Sequence, residues 1–438
     1  VAKPVDVDAD VFRCAAIEQA LAGLGTQALS PANVQEFLWP LFRRVCNRRE
    51  QDPHPAIYLA NHSLGRPLDQ MALDVQEALD LWYDQMDGAW SAPRGWLAAS
   101  NFFRAQIAEL IGAASYRQIV PKVSAGQGLR AVLNALSDHG HVPAVLATRG
   151  EFDSCDVILK TYAAKGRANV RWVEPSVREG IDHYGVADLT ARLDADVDLI
   201  LCSQVLFATG QVLADLPRLV QAAHDCGAMV IVDTYHSAGV LPLNWEGTGP
   251  YALGGADFVL GGSYKYTRGG PGACWLAIHD RHLHEPRLKT LDTGWFAKAE
   301  PFRYERPDPP LLGDAGDGWL ESTPAVLSAY QARSGLQLVL GLGVARLNVY
   351  NREQQQQMEA IFADQGVPLF AWPDSIEQGA FALFPHRHAS DLAARLQASG
   401  LNVDARNGWV RFGPDLLTTT TEMVQASQIL RRVLDAWS

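Results

Sequence analysis

From residue 93 to about residue 280, short apolar runs alternate with segments of helical periodicity, and this alternation constrains the fold more than any other feature. The runs fall at 142–147, 170–173, 199–202, 229–232, 258–260 and 274–278, and the helical segments include 128–136 and 216–226. Continuous apolar runs suit strands buried on both faces, and helix-length connections carry the chain back to begin the next strand in the same direction. The pattern predicts a mostly parallel sheet covered by helices. Ahead of it, residues 15–49 show helix-like apolar spacing broken at Ser30-Pro31. A polar linker at 51–55 and a short strand near 57–60 follow. Beyond a Pro-, Gly- and Asp-rich stretch near 305–317, a long helical segment (324–362) leads to apolar runs at 369–371, 380–384 and 410–412. The expected organisation is α/β. It has a helical arm (1–55), a large, mostly parallel α/β domain (56–315) and a smaller α+β C-terminal domain (316–438).

A chain of 438 residues, 48% of them hydrophobic, can bury a large core and a second, smaller one. Its formal net charge of −12 excludes the clustered basic surface that nucleic acid or an anionic membrane requires. Small molecules or protein are the expected partners. The six cysteines show no metal-ligand spacing and read as reduced, mostly buried thiols. No run approaches the ~18 apolar residues of a spanning helix, and the first residues lack a signal-peptide profile. The cytoplasm is the default expectation, and numbering from Val1 leaves room for a cleaved leader.

Three segments carry chemistry. The run at 229–232 ends on Asp233, which places a carboxylate at the carboxyl end of a buried strand, where open α/β sheets bind ligands. The alternative for Asp233 is a helix N-cap. The run at 258–260 enters GGSYKYTRGGPG (261–272), in which Lys265 lies between Tyr264 and Tyr266. Burial there would lower its pKa and free it for a Schiff base with an aldehyde. The alternative, a phosphate-binding lysine, lacks the GxxxxGK[ST] pattern. Ser124, Ala125 and Gly126 precede a helix and offer free backbone N–H groups to an anion, or serve as an ordinary capped start. One ligand with a phosphate, an aldehyde and a basic ring nitrogen satisfies all three segments, and pyridoxal 5′-phosphate (PLP) has these groups.

From Ile57 to about Pro414 the chain resembles the kynureninases, PLP enzymes of the aminotransferase-like fold. The resemblance rests on IYLANHSLG (57–65), IVDTYHSAG (231–239), GGSYKYTRGGPG (261–272), TGWF (293–296), ESTPAVLS (321–328) and the DAR…VRFGP segment (404–414). It implies that Lys265 carries the cofactor, Asp233 pairs with its ring nitrogen and His236 stands near both. It further implies that Tyr264, Ser124, Ala125 and Gly126 hold the phosphate, that Phe152 stacks on the ring, and that Trp295 and Thr323 reach the site of a second subunit in a homodimer. Arg411 would grip the carboxylate of an amino-acid substrate, beside Ser63. The implied reaction is hydrolytic Cβ–Cγ cleavage of kynurenine or a related aryl- or acyl-alanine.

Several positions depart from the family. Its Phe-Pro-Ser/Thr-Asp block reads Phe152-Asp153-Ser154-Cys155-Asp156 here, so the family carboxylate is either lost at Cys155 or shifted to Asp156. No histidine occurs near 88–90, where the aromatic pocket would place one, and a Val-Asn-Tyr block becomes VLFATG (205–210). These changes fall on the substrate side and leave a second enzyme reading: an aminotransferase, desulfurase or other amino-acid lyase with the same cofactor. A third reading, a nucleotide-binding or non-catalytic protein with the same sheet, predicts no uptake of PLP.

Overall fold

The computed structural model describes residues 9–46, 56–137, 140–178, 181–283, 288–373 and 376–437; the linker expected at 51–55 lies outside them. Helix α1 (Ala15–Leu24) places Ile17, Ala20 and Leu24 on its buried face. The short strand β1 (Ile57–Tyr58) follows, then α2 (Gln70–Gln85) and α3 (Trp96–Ile111). The alternating region then unfolds as expected: β2 (Ile119–Lys122), α4 (Ala125–Leu136), β3 (Ala144–Thr148), α5 (Asp153–Ala164), β4 (Asn169–Val173), β5 (Leu199–Ser203), α6 (Leu216–Asp225), β6 (Met229–Asp233), β7 (Phe258–Gly262) and β8 (Cys274–Ile278).

These strands form one seven-stranded sheet in the order β2-β8-β7-β6-β5-β3-β4. Only β8 runs antiparallel to its neighbours; the other pairings are parallel. Every residue of β3, β5, β7 and β8 is buried, which is why their sequences are continuous apolar runs. Strands β2 and β3 follow each other in the chain yet lie far apart in the sheet. The loops leaving the carboxyl ends of β2, β3, β5, β6 and β7 therefore converge over one crevice, the usual ligand position of such sheets.

The helical segment expected at 324–362 is two helices, α7 (Val326–Leu342) and α8 (Val344–Asp364), separated by Gly343 at φ 82°. After them come β9 (Ala382–Pro385), α9 (Ala389–Ala398), β10 (Leu401–Asn402), β11 (Asp404–Arg406), β12 (Trp409–Phe412) and α10 (Thr420–Asp435). β9, β12 and β11 form an antiparallel sheet in that order, and β1 pairs in parallel with β10. The run at 369–371 forms no strand, although the Phe370 N–H donates to the Leu383 carbonyl at 2.7 Å.

Packing links segments on either side of the boundary expected at 315–316. Ile57 and Leu59 sit in one apolar cluster with Met358, Leu401 and Phe412. Helix α7 packs instead on α2 and α3, and its Tyr330, Leu336 and Val339 join the cluster that underlies the large sheet. The apolar faces of these segments, rather than their order in the chain, decide which core they join.

Candidate active site

Strand β6 delivers Asp233 to the crevice, and the turn after it delivers His236. Asp233 is buried, and its Oδ1 accepts the Tyr235 N–H at 2.8 Å. Strand β7 delivers the lysine loop. A Cβ on Gly262 would fall 2.1 Å from the Tyr235 ring, so only glycine lets that ring lie against the strand. The loop beyond is pinned: the Gly269 N–H donates to the Ser263 carbonyl at 2.6 Å, and the Ser263 N–H to that of Ala273 at 2.9 Å. Arg268, at φ 57°, reaches Asp415 Oδ2 at 3.1 Å and the Arg66 carbonyl at 3.3 Å. Lys265 is thereby held on a frame tied to two distant segments.

Lys265 is 5% exposed, and its Nζ lies 2.6 Å from His236 Nε2. The same nitrogen faces the rings of Tyr235, Tyr264 and Phe152 at 5.1, 5.7 and 5.8 Å. Burial pulls its pKa down to about 7; the Asp233 charge opposes that shift and the Arg411 guanidinium reinforces it. The shift favours the free amine, the form that a carbonyl-directed nucleophile requires. His236 is held well below its usual range by burial and then by Lys265, so its ring is neutral. Its Nδ1 is buried with no hydrogen-bond partner among the described residues. Burial also raises Asp233 above the ordinary carboxylate range, a cost that a cationic partner in the cavity would remove.

The cavity over these groups measures about 580 Å³ and is lined by Ser124, Ala125, Gly126, Phe152, Asp233, His236, Tyr264 and Lys265, among others. Eight of the residues expected from sequence thus meet around one space. Ser124 caps α4 by accepting the Gln127 N–H, and this first turn lines the same cavity as Tyr264. The remaining expected residues stand elsewhere. Asp156 lies on α5 beyond the cavity edge and pairs with Lys160 at 2.6 Å, so the structure does not bring it to the cofactor space. Cys155 packs in the core instead. Trp295 and Thr323 are hydrogen-bonded to each other at 3.1 Å on the outside of the molecule. Ser63 and Arg411 adjoin the site without lining the cavity. Arg411 Nε donates to Asp404 Oδ1 at 2.7 Å and Nη2 to Asp404 Oδ2 at 2.5 Å, while Nη1 donates to the Phe207 carbonyl.

Five neighbours escaped the sequence reading. Glu151, directly before Phe152, is 3% exposed and accepts the Thr148 and Ser203 hydroxyls at 2.6 Å each. Burial raises its pKa to about 7, and the Asp233 charge adds to the shift. Ser203 is the register partner of Asp233 on the adjacent strand. His62 and Asp404 surround Arg411, and Arg130 lines the cavity beside Gly126. A carboxylate placed directly after a buried strand was the available signal for Glu151. Asp404 stood inside the matching DAR segment.

A buried amine of lowered pKa, a buried acid that wants a cation, a histidine with an unpartnered nitrogen and an N–H-rich helix start fit an aldehyde, a ring nitrogen and a phosphate. Fold and site together define a PLP-dependent enzyme. The chain belongs to the aminotransferase class-V family, whose model matches residues 89–427. Within that family it is kynureninase-like. It is 28% identical over 373 residues to a kynureninase of Deinococcus radiodurans, covering 82% of this chain and 85% of that one. It is 28% identical over 392 residues to a kynureninase of Salinispora tropica, covering 83% and 87%. Among solved structures it resembles a cysteine desulfurase of Thermococcus onnurineus at TM-score 0.72 and 18% identity, covering 90% of this chain and 98% of that one. A cystine C–S lyase in complex with cysteine persulfide gives TM-score 0.74 at 18% identity, covering 87% and 97%. Among the described residues no helix is long and apolar enough to cross a membrane.

Proposed function

We propose that this enzyme hydrolyses the Cβ–Cγ bond of kynurenine or a closely related aryl-alanine, working as a cytoplasmic homodimer. The observation that carries the reading is the apolar flank of the cavity: Phe152, Val157, Ile158, Val205 and Phe207 line it, and Phe152 and Phe207 meet edge to face at 5.3 Å. An aromatic side chain fits such a wall, and a charged one does not.

When bound, PLP supplies an aldehyde for the lysine amine and a protonated ring that accepts electron density from the substrate α-carbon. The protein's groups do the rest. Lys265 Nζ, with a pKa near neutrality, is suited to taking and returning the α-proton, and His236 Nε2 holds that nitrogen in place. Asp233 would keep the proton on the ring nitrogen. Ser124, Ala125, Gly126 and Tyr264 would hold the phosphate, and Arg130, on the same wall, can add a cation. Arg411 would orient the substrate through its carboxylate, which sets the α-bond that stands perpendicular to the ring. Trp295 and Thr323, facing outward, would complete the site of the second subunit.

The desulfurase-like neighbours keep a lyase reading in view, but the thiols near this site weigh against sulfur transfer. Burial raises Cys155 and Cys202 well above the ordinary thiol range and Cys274 to about 11, so none supplies a thiolate. Incubating PLP-loaded protein with L-kynurenine tests the proposal, with anthranilate fluorescence as the expected product. Conversion of a keto acid acceptor with no anthranilate would favour an aminotransferase.

A further inference from the structure

The groups around Arg411 form a connected set drawn from four parts of the chain. Asp404 and Arg411 are register partners on the adjacent strands β11 and β12. His62 and Ser63, in the turn after β1, both bond the Asp404 carboxylate: His62 Nε2 lies 2.9 Å from Oδ1, and the Ser63 hydroxyl donates to Oδ2. Phe207, from the loop after β5, supplies its carbonyl to Arg411 Nη1. A guanidinium carries five N–H groups. Asp404 takes two of them along the Nε–Nη2 side and the Phe207 carbonyl takes one. One N–H of Nη1 and one of Nη2 are left over, and the nearest remaining partner is Ser63 Oγ, at a long 3.5 Å from Nη2.

We propose that Asp404 is a positioning residue for substrate recognition, gripping one side of the Arg411 fork so that its outer edge, beside the Ser63 hydroxyl, receives the substrate carboxylate. The inference rests on the reading of Arg411 as the carboxylate-binding group. Arginine can pair with carboxylates along two edges, and a side-on partner fixes the plane of the fork without using the end-on edge. Fixing that plane before substrate arrives removes much of the ordering cost from binding. His62 and Ser63 in turn fix the Asp404 carboxylate, so the fork is oriented by a chain of contacts rather than by one pair.

The test compares L-alanine with L-alaninamide as ligands of the PLP-loaded enzyme, read as the change each causes in the absorbance of the bound cofactor. These two differ in the carboxylate alone. Wild type should prefer L-alanine. Asp404→Asn should weaken L-alanine by about tenfold or more and alter L-alaninamide by less than about twofold, with cofactor retention unchanged. Asp404→Glu should recover part of the loss, and Ser63→Ala should show a smaller loss in the same direction. If wild type does not distinguish the two ligands, the carboxylate reading of Arg411 fails. If wild type does and Asp404→Asn keeps the full preference, the positioning role fails while that reading stands. Tighter L-alanine binding by Asp404→Asn would make Asp404 a competitor of substrate and would likewise overturn the proposal. Should Asp404→Asn lose its cofactor through misfolding, the Ser63→Ala and Asp404→Glu comparisons decide.

Discussion

Burial gives Glu151 a chemistry unlike that of an ordinary carboxylate. The unfolded chain titrates it near 4.5, whereas burial in the folded protein moves it to about 7. Between those values the folded protein keeps a proton that the unfolded chain has released, so this group lowers stability progressively as pH rises from about 5 to 7. Gln carries no such proton; its oxygen can accept from one of the Thr148 and Ser203 hydroxyls, and its NH2 can donate to the other once that hydroxyl turns. Glu151→Gln should therefore gain on wild type by up to ~3 kcal/mol between pH 5 and pH 8, measured by urea unfolding at both values. A difference that stays constant with pH would contradict this account. Residue-level legibility was uneven for a physical reason. Lys265, Asp233 and His236 announce themselves because a charged or polar group directly after a buried strand needs a purpose. Asp156 was one of two places for the carboxylate that the resemblance implied, but it lies on a helix, where a shift of one position turns a side chain away from the cavity.

The lysine loop is the element on which the site depends, and its rigidity comes from outside itself. Arg268 joins it to Asp415, both side chains are buried, and Arg66 Nε stands 4.0 Å from the same carboxylate. Arg268→Ala would leave Asp415 with the Leu417 N–H and, as its charged partner, that distant guanidinium; it should cost about 3–5 kcal/mol in unfolding free energy, with weaker PLP retention. Unchanged urea midpoints would contradict it. Elements of the large sheet were readable because strands buried on both faces have to be apolar along their whole length. The break at Gly343 was less visible, since α7 and α8 are both apolar on one face and helical periodicity runs through the boundary. The apolar run at 369–371 forms no strand, because an apolar triplet does not specify a pairing partner.

At the scale of the whole molecule, packing joins segments that the sequence order set apart: β1 pairs with β10, and α7 packs on α2 and α3. The contact of one segment with another distant in sequence cannot be seen in local periodicity. The same limit applies to the proposed role of Trp295 and Thr323, which would need a second copy of the chain. If each site draws on both subunits, a mixture of Lys265→Ala and Trp295→Ala proteins, unfolded and refolded together, should recover activity that neither shows alone. No recovery would contradict shared sites. The central claim, that this fold builds one PLP site around one lysine, is tested most directly by trapping. Borohydride reduction of PLP-loaded protein followed by peptide mass mapping should place a phosphopyridoxyl group on Lys265. A label on another lysine, or none at all, would contradict it.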